Sequence, residues 1–435
     1  MNEFSKPTIA LLHWGNLIED FLDTIGVSFE SFCTEMTGGW LFGYVEALKL
    51  VGIKTVIFCI SGRANEPTYH THMPTGAKIC ILPAPSIYHF IRRPIVAPYG
   101  WNIKEAVENA RGLRHWQLSA YYHTLPYLAT PLTLLARELK QTNCRAIVCQ
   151  EYEYARFDAC VLLGKLLALP VYASFQGGNF QLSRWERYLR PLTIKACQGS
   201  IVSSQTELER VRKKYFIEDR KLAKIFNPLK TDRFLSIDRY TARQKLKLPL
   251  NSQIVVWHGR VAIFRKGLDL LLNAWERVVR QCRDRFLNLL LVGTGSDADK
   301  LTKLIAQKPS NIIWVNNYIL NRELIQTYLT AADLYILPSR HEGFPVAPLE
   351  AMACSLPVVA TNVSSVADIL ENETSGGIIV PPEDEIALSN AITKILNNES
   401  LPQQLGKFAC QRIENYFSSK TVGQQLKEFL RLKVD

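Results

Sequence analysis

Short apolar runs rich in Val, Ile and Leu alternate along the whole chain with longer helical stretches. In the first half the runs fall at 8–14, 55–60, 78–84, 146–152, 171–177 and 200–205. In the second they fall at 253–259, 287–293, 312–317, 334–338, 357–362 and 377–382. Continuous apolar runs are strands covered on both faces, and strands separated by helices pair in parallel. Two such series predict two doubly wound α/β domains. The length, 435 residues, exceeds one compact core and fits two domains. The boundary is expected near "NPLKTDRF", 227–234, where polar residues and a proline follow the last run of the first series. The predicted domains are 1–230 and 231–414, and a helix over about 415–435 is expected to pack back on the first. Ligands of such sheets bind beyond the carboxyl ends of the strands, so the cleft between two facing sheets is the expected site.

One stretch, "FDACVLLGKLLALPVYASF" at 157–175, is apolar enough to raise the question of a membrane span. Lys165 and Pro170 interrupt it, and the reading adopted is a buried helix followed by a buried strand. "MNEFSKPTIALLHWG" has too short an apolar run for a signal peptide. The ten cysteines contain no C-x-x-C pair and are read as reduced thiols of a cytoplasmic protein. The net charge of +11 is uneven: residues 91–230 hold 22 Lys or Arg against 11 Asp or Glu. That excess, with the aromatic and basic stretch "IYHFIRRPIVAPYGW" at 87–101, suggests an anionic partner, including a peripheral position on the inner face of a membrane.

The chemistry concentrates in "HEGFPVAPLEAMA", 341–353. A strand ends before it, and a helix is expected to start near Ala347 with Pro348 at its first position. Glu350 then falls in the first helical turn, where the helix dipole favours a carboxylate. The amides around Gly343, Phe344, Val346 and Ala347 form a ready anion site between Glu342 on the loop and Glu350 on the helix. The layout suits a ligand with hydroxyls at both ends and a diphosphate between them. An E-x7-E pair by itself is also what an ordinary strand–loop–helix would show.

The neighbouring residues sharpen this. "SRHEGFPVAPLEAMACSLPVVATNV" closely resembles the E-x7-E signature of family 4 glycosyltransferases, which are retaining enzymes of the GT-B fold with nucleotide-sugar donors. "HGRVAIFRKGLDLLLNAW" resembles that family's G-R…K-G segment, at Gly259, Arg260, Lys266 and Gly267. "LLLVGTGS" resembles its next strand and glycine turn, at Gly293 and Gly295, and "TGGWLFGYVEALKLVGIKTVIF" its N-terminal Gly-Gly loop. The likeness is strong over about 200–385 and looser before 200.

The resemblance implies roles. Glu350 would hold the ribose hydroxyls. Glu342 and the amides of Gly343, Phe344, Pro345 and Val346 (proline contributing only its position) would line the donor sugar and diphosphate. Arg260 and Lys266, with Gly259 beside them, would neutralise the diphosphate, and Gly38 and Gly39 would approach it from the first domain. At "ASFQGGNF" many members carry histidine where this chain has Gln176, which can orient a donor sugar or acceptor hydroxyl but cannot move a proton. Asp297 and Asp299 form a D-x-D, read as a helix start rather than a metal site. The expectation is a retaining hexosyltransferase of polysaccharide biosynthesis with no metal and no cofactor. It would take a nucleotide sugar as donor and a glycan or lipid-linked acceptor, with no nucleic-acid partner. A non-catalytic nucleotide-sugar-binding scaffold and an epimerase of the same fold are the other readings.

Overall fold

The computed structural model describes residues 6–13, 15–88, 115–175, 185–231, 237–308, 311–371 and 373–432. The chain divides into two compact units. The first comprises Met1–Glu35, Val45–Ile225 and Gly423–Asp435, and the second Met36–Tyr44 and Phe226–Val422.

The first unit holds β1 (Thr8–Leu12), β2 (Lys54–Ser61), β3 (Thr68–His72), β4 (Ala77–Pro83), β5 (Cys144–Gln150), β6 (Val171–Ser174), β7 (Gly199–Val202) and β8 (Leu222–Lys224). They form one sheet in the order β3-β4-β2-β1-β5-β6-β7-β8. Only β3 runs antiparallel, against β4. The apolar runs are strands because both faces are covered: Ile9 to Leu12 of β1 and Ile57 to Ile60 of β2 are buried. The stretch 157–175 resolves as expected into a helix, Ala155–Leu167, and β6, with Ala168 in the left-handed conformation and Pro170 at the junction. Among the described residues no helix is long and apolar enough to cross a membrane. The C-terminal helix Ser419–Leu430 runs into this unit, where Tyr172 Oη donates to the Leu430 carbonyl at 2.8 Å.

The second unit holds β9 (Gln253–His258), β10 (Leu287–Val292), β11 (Ile312–Val315), β12 (Leu334–Leu337), β13 (Val358–Thr361) and β14 (Gly377–Val380). All pair in parallel, in the order β11-β10-β9-β12-β13-β14. The order reverses between β9 and β12, so the connections after these two strands part to opposite faces and leave a crevice at their carboxyl ends. Helix Leu268–Gln281 covers one face through Leu268, Leu271, Leu272, Trp275 and Val278, a helical spacing that buries one side. Trp257 and Trp275 are fully buried in that core. The two ends of its long segment meet: Leu229 N–H donates to Phe417 O at 2.7 Å and Ser419 N–H to Leu229 O at 3.0 Å.

The ends of β9 and β10 touch through backbone alone. Gly293 follows β10 with φ +135°, and a Cβ there would lie 2.0 Å from the Gly259 carbonyl oxygen. Gly293→Ala should therefore lose about 1–3 kcal/mol of stability, the usual cost of a strained backbone position. Urea denaturation followed by tryptophan fluorescence checks this. An unchanged midpoint would mean that the two loops can part freely.

Candidate active site

The crevice at the carboxyl ends of β9 and β12 is walled by the loops that follow these two strands. After β9 the chain passes Gly259 and Arg260 into a short helix, Ile263–Lys266, and Gly267 ends it with φ +62°. A Cβ on Gly267 would lie 1.9 Å from the Pro338 carbonyl oxygen, so this loop presses against the end of β12 as only glycine permits. Arg340 and His341 amides donate to the Arg265 carbonyl at 3.0 and 3.3 Å. Arg340 adds a two-pronged pair with Asp269, at 2.7 and 2.8 Å, and stacks on Phe264.

Those contacts bring Lys266 to Glu342. Its Nζ lies 2.7 and 2.9 Å from the two carboxylate oxygens, and Ser339 Oγ donates to Oε1 at 2.6 Å. The Glu342 side chain is only 5% exposed. Burial pushes its pKa up, but Lys266, Ser339 and Arg265 outweigh that and hold it below the ordinary value. Both residues were expected to act on a donor; the structure joins them to each other first.

Arg260 differs. It has no hydrogen bond or ion pair among the described residues. Burial lowers its pKa and Arg265 lowers it further, while Tyr318 and Glu342 act the other way. Like Arg265 beside it, it is a crevice cation without a paired acid among the described residues.

Glu350 lies on the helix Ala347–Ala353, with Val346 as the capping residue and Pro348 one position later than expected. His258, the last residue of β9, places Nε2 2.9 Å from Glu350 Oε2. Burial raises the Glu350 pKa, but His258 and Arg322 leave it below the ordinary value. Its Oε1 has no partner among the described residues. The amides of Gly343, Phe344, Val346 and Ala347 likewise donate to nothing among the described residues, as the sequence led us to expect of a helix start. The Gly343 carbonyl is held by Ser364 and Ser365.

The remaining candidates separate. Gly38 (φ +72°) precedes the helix starting at Gly39, and a Cβ on Gly38 would lie 3.2 Å from Arg322 Nη1. Pro345 is buried, and the Phe344 ring packs with Phe226 and Phe417 in the core, so only its backbone is available to a ligand. Asp297 stands just before the helix Ala298–Ile305 without a side-chain capping bond, and accepts from the Ile263 amide at 3.0 Å and from Lys300 at 3.0 Å, in keeping with a helix start. Gln176 lies outside the described residues, as does most of the aromatic and basic stretch at 87–101. Sequence reasoning missed His258, Tyr318, Arg322 and Ser339. A histidine ending an apolar strand was the available signal for the first.

Comparison with known proteins bears on the fold and on the kind of enzyme the chain is similar to. Residues 252–398 match the family model described as glycosyl transferases group 1. The fold is the GT-B fold of glycosyltransferases. The chain is 23% identical to alpha-D-kanosaminyltransferase of Streptomyces kanamyceticus over 61% of this chain and 70% of that one. It is 26% identical to the capsular polysaccharide biosynthesis glycosyltransferase CapM of Staphylococcus aureus, over 46% of this chain and 51% of that one. Anabaena HepE, solved in complex with UDP, superposes with a TM-score of 0.68 at 14% identity, covering 98% of this chain and 99% of that one.

The Lys266–Glu342 pair carries a pH signature. A carboxyl whose folded pKa is depressed adds stability that is present above its ordinary value, 4.5 here, and lost as pH falls through the folded value. Lys266→Met leaves a buried carboxylate without its cation and should cost about 3–5 kcal/mol at pH 7. The deficit should shrink in acid, where Glu342 protonates. Urea melts of both proteins at pH 7 and near pH 4 check it, and a deficit independent of pH would show that Lys266 does not act through Glu342.

Proposed function

We propose that this chain is a retaining glycosyltransferase of the family 4 type, moving a hexosyl group from a nucleotide-diphosphate sugar to a hydroxyl of a glycan or lipid-linked acceptor. One observation carries the reading. Among the described residues, four amides without partners, at Gly343, Phe344, Val346 and Ala347, share the crevice loops with Arg260, which has no ion pair there, and with the half-engaged carboxylate of Glu350. That is an anion cradle next to an acceptor for hydroxyls, the two ends of a nucleoside diphosphate. HepE, of the same fold, was solved with UDP, which makes uracil the first base to test.

Transfer breaks the bond between the anomeric carbon and the phosphate oxygen, and the electron pair leaves with the diphosphate. The acceptor oxygen bonds to the anomeric carbon on the face that the diphosphate leaves, and its hydroxyl proton passes to the departing diphosphate oxygen. The growing charge needs fixed donors or a divalent cation. We assign it to Arg260 and the four amides, with no metal. Lys266 contributes through Glu342, because its charge is already matched there. Glu342 itself is a poor proton acceptor, since its pKa lies below the ordinary value. Its place is to fix Lys266 and the loop that carries the amides.

Two experiments test the reading. Incubation with labelled nucleotide sugar and glycan acceptors should give a labelled glycoside whose anomeric configuration matches the donor. A changed sugar nucleotide would instead indicate an epimerase, and no product at all a binding scaffold. Rates should survive excess EDTA and fall about 10²–10³-fold in Arg260→Ala, with kcat affected more than KM. Restoration of an EDTA-treated enzyme by Mg²⁺ or Mn²⁺ would sink the metal-free assignment.

Glu350→Ala should weaken nucleotide binding while leaving the fold intact. One charge-assisted bond to a ribose hydroxyl contributes about 1.5–3 kcal/mol. Only Oε1 is open, so the loss should correspond to one such bond rather than two. Calorimetric titration with UDP, GDP and ADP reads it. Unchanged affinity for the preferred nucleotide would remove Glu350 from the ribose.

A further inference from the structure

The helix Ala155–Leu167 is apolar almost all round, a pattern that ordinarily means complete burial. It is not completely buried. Leu162 and Leu166, one turn apart, are 55% and 73% exposed. The next helix, Glu186–Ala196, packs beside it: Arg190 on this helix pairs with Asp158 on the other at 3.0 Å. It shows Tyr188 and Leu192, again one turn apart, with Leu192 65% exposed. A hollow of about 280 Å³ opens between the ends of the two helices, with Val161, Leu169 and Pro170 in its wall and Lys165 and Ala196 on either side. Phe216, 80% exposed, extends the apolar surface, with Lys195 Nζ 5.8 Å from its ring centroid.

The charges on this face are all of one sign. The exposed ionisable residues of the two helices are Lys165, Arg187 and Lys195. The acids, Asp158 and Glu186, are buried, and Asp158 is paired with Arg190. Beyond Phe216, Asp219 is matched by Arg212 and Glu218 by Arg220. A second copy of the chain docked symmetrically here would set cation against cation. An anionic lipid surface meets both halves of the pattern, because leucine side chains enter the acyl boundary while lysines and arginines reach the headgroups.

We propose that the face formed by Leu162, Leu166, Tyr188 and Leu192, ringed by Lys165, Arg187 and Lys195, docks the protein on an anionic membrane surface. It is separate from the crevice of the second unit and does not depend on the activity proposed there.

Co-sedimentation of the full chain with phosphatidylcholine vesicles, with and without phosphatidylglycerol, tests it. The wild-type chain should bind the anionic vesicles and release in about 1 M salt, where the screening length falls to about 3 Å. The double variant Leu166→Glu, Leu192→Glu should lose binding at least about tenfold, because it removes apolar area and adds like charge. Lys165→Glu with Lys195→Glu should weaken it as well. Met73→Glu, at an exposed apolar residue elsewhere on the unit, should bind as wild type. Circular dichroism and thermal melting of each variant confirm that it is folded. Wild-type binding by the leucine variant, or equal binding to neutral and anionic vesicles, would overturn the proposal. So would a wild-type dimer, seen by light scattering, that the leucine variant splits while vesicles capture neither.

Discussion

The buried contact between Lys266 and Glu342 decides where the crevice loops of the second unit lie. It joins the segment after β9 to the segment after β12. Sheet topology separates these segments, since their helices pass to opposite faces of the sheet. Nothing in the strand pairing would otherwise hold them together beyond the sheet edge. A buried pair adds little net stability but is costly to break, so it fixes an arrangement more than it strengthens one. Gly267 is the backbone half of the same joint. Its close approach to Pro338 sets the distance at which a lysine can reach the carboxylate. Arg340, paired with Asp269, fastens the outer side.

With those bonds made, the polar groups that remain unpaired are the informative ones. Buried backbone amides nearly always find partners in a folded protein. Four near one turn without partners among the described residues, together with an arginine that has no ion pair there, form a region of positive potential that costs folding energy. Glu350 stands beside it but is backed by His258, which occupies one carboxylate oxygen and leaves the other open. The two glutamates eight positions apart are therefore not equivalent. Glu342 is consumed by the scaffold, whereas Glu350 keeps an open oxygen.

Much of the fold was legible in the sequence because a parallel sheet covered on both sides writes its strands as apolar runs. All twelve such runs became strands. The two strands that escaped notice are edges. β3 reads Thr-Tyr-His-Thr-His and is mostly exposed, and β8 is three residues long and half-exposed. An edge strand with one open side has no need of apolar residues. In the site, the residues on one contiguous loop were legible because local spacing carries them. His258, Tyr318 and Arg322 were not. His258 ends β9, Tyr318 follows β11 and Arg322 begins the helix Arg322–Thr330, and only the strand order brings them near Glu350 and Arg260. Phe344 divides between site and core: its amide has no partner among the described residues, while its ring packs inside, where a large apolar group is worth more than in a polar crevice.

That ring ties the site to the chain crossings. Phe344 packs against Phe226 and Phe417, which stack on each other with centroids 4.5 Å apart. Phe226 opens the long segment of the second unit, and Phe417 stands just before the chain leaves it. Leu229 bonds to both Phe417 and Ser419 through its backbone. The loop bearing these amides is thus anchored on one side by an ion pair and on the other by aromatic packing against the two ends of the unit's long segment. A substitution in that aromatic trio would therefore reach the amides of Gly343 and Phe344 without touching any group that meets a donor. Loss of activity from such a change would report a displaced loop rather than a lost contact. The amides cannot be mutated directly, so Phe226 and Phe417 are the positions through which their placement can be perturbed.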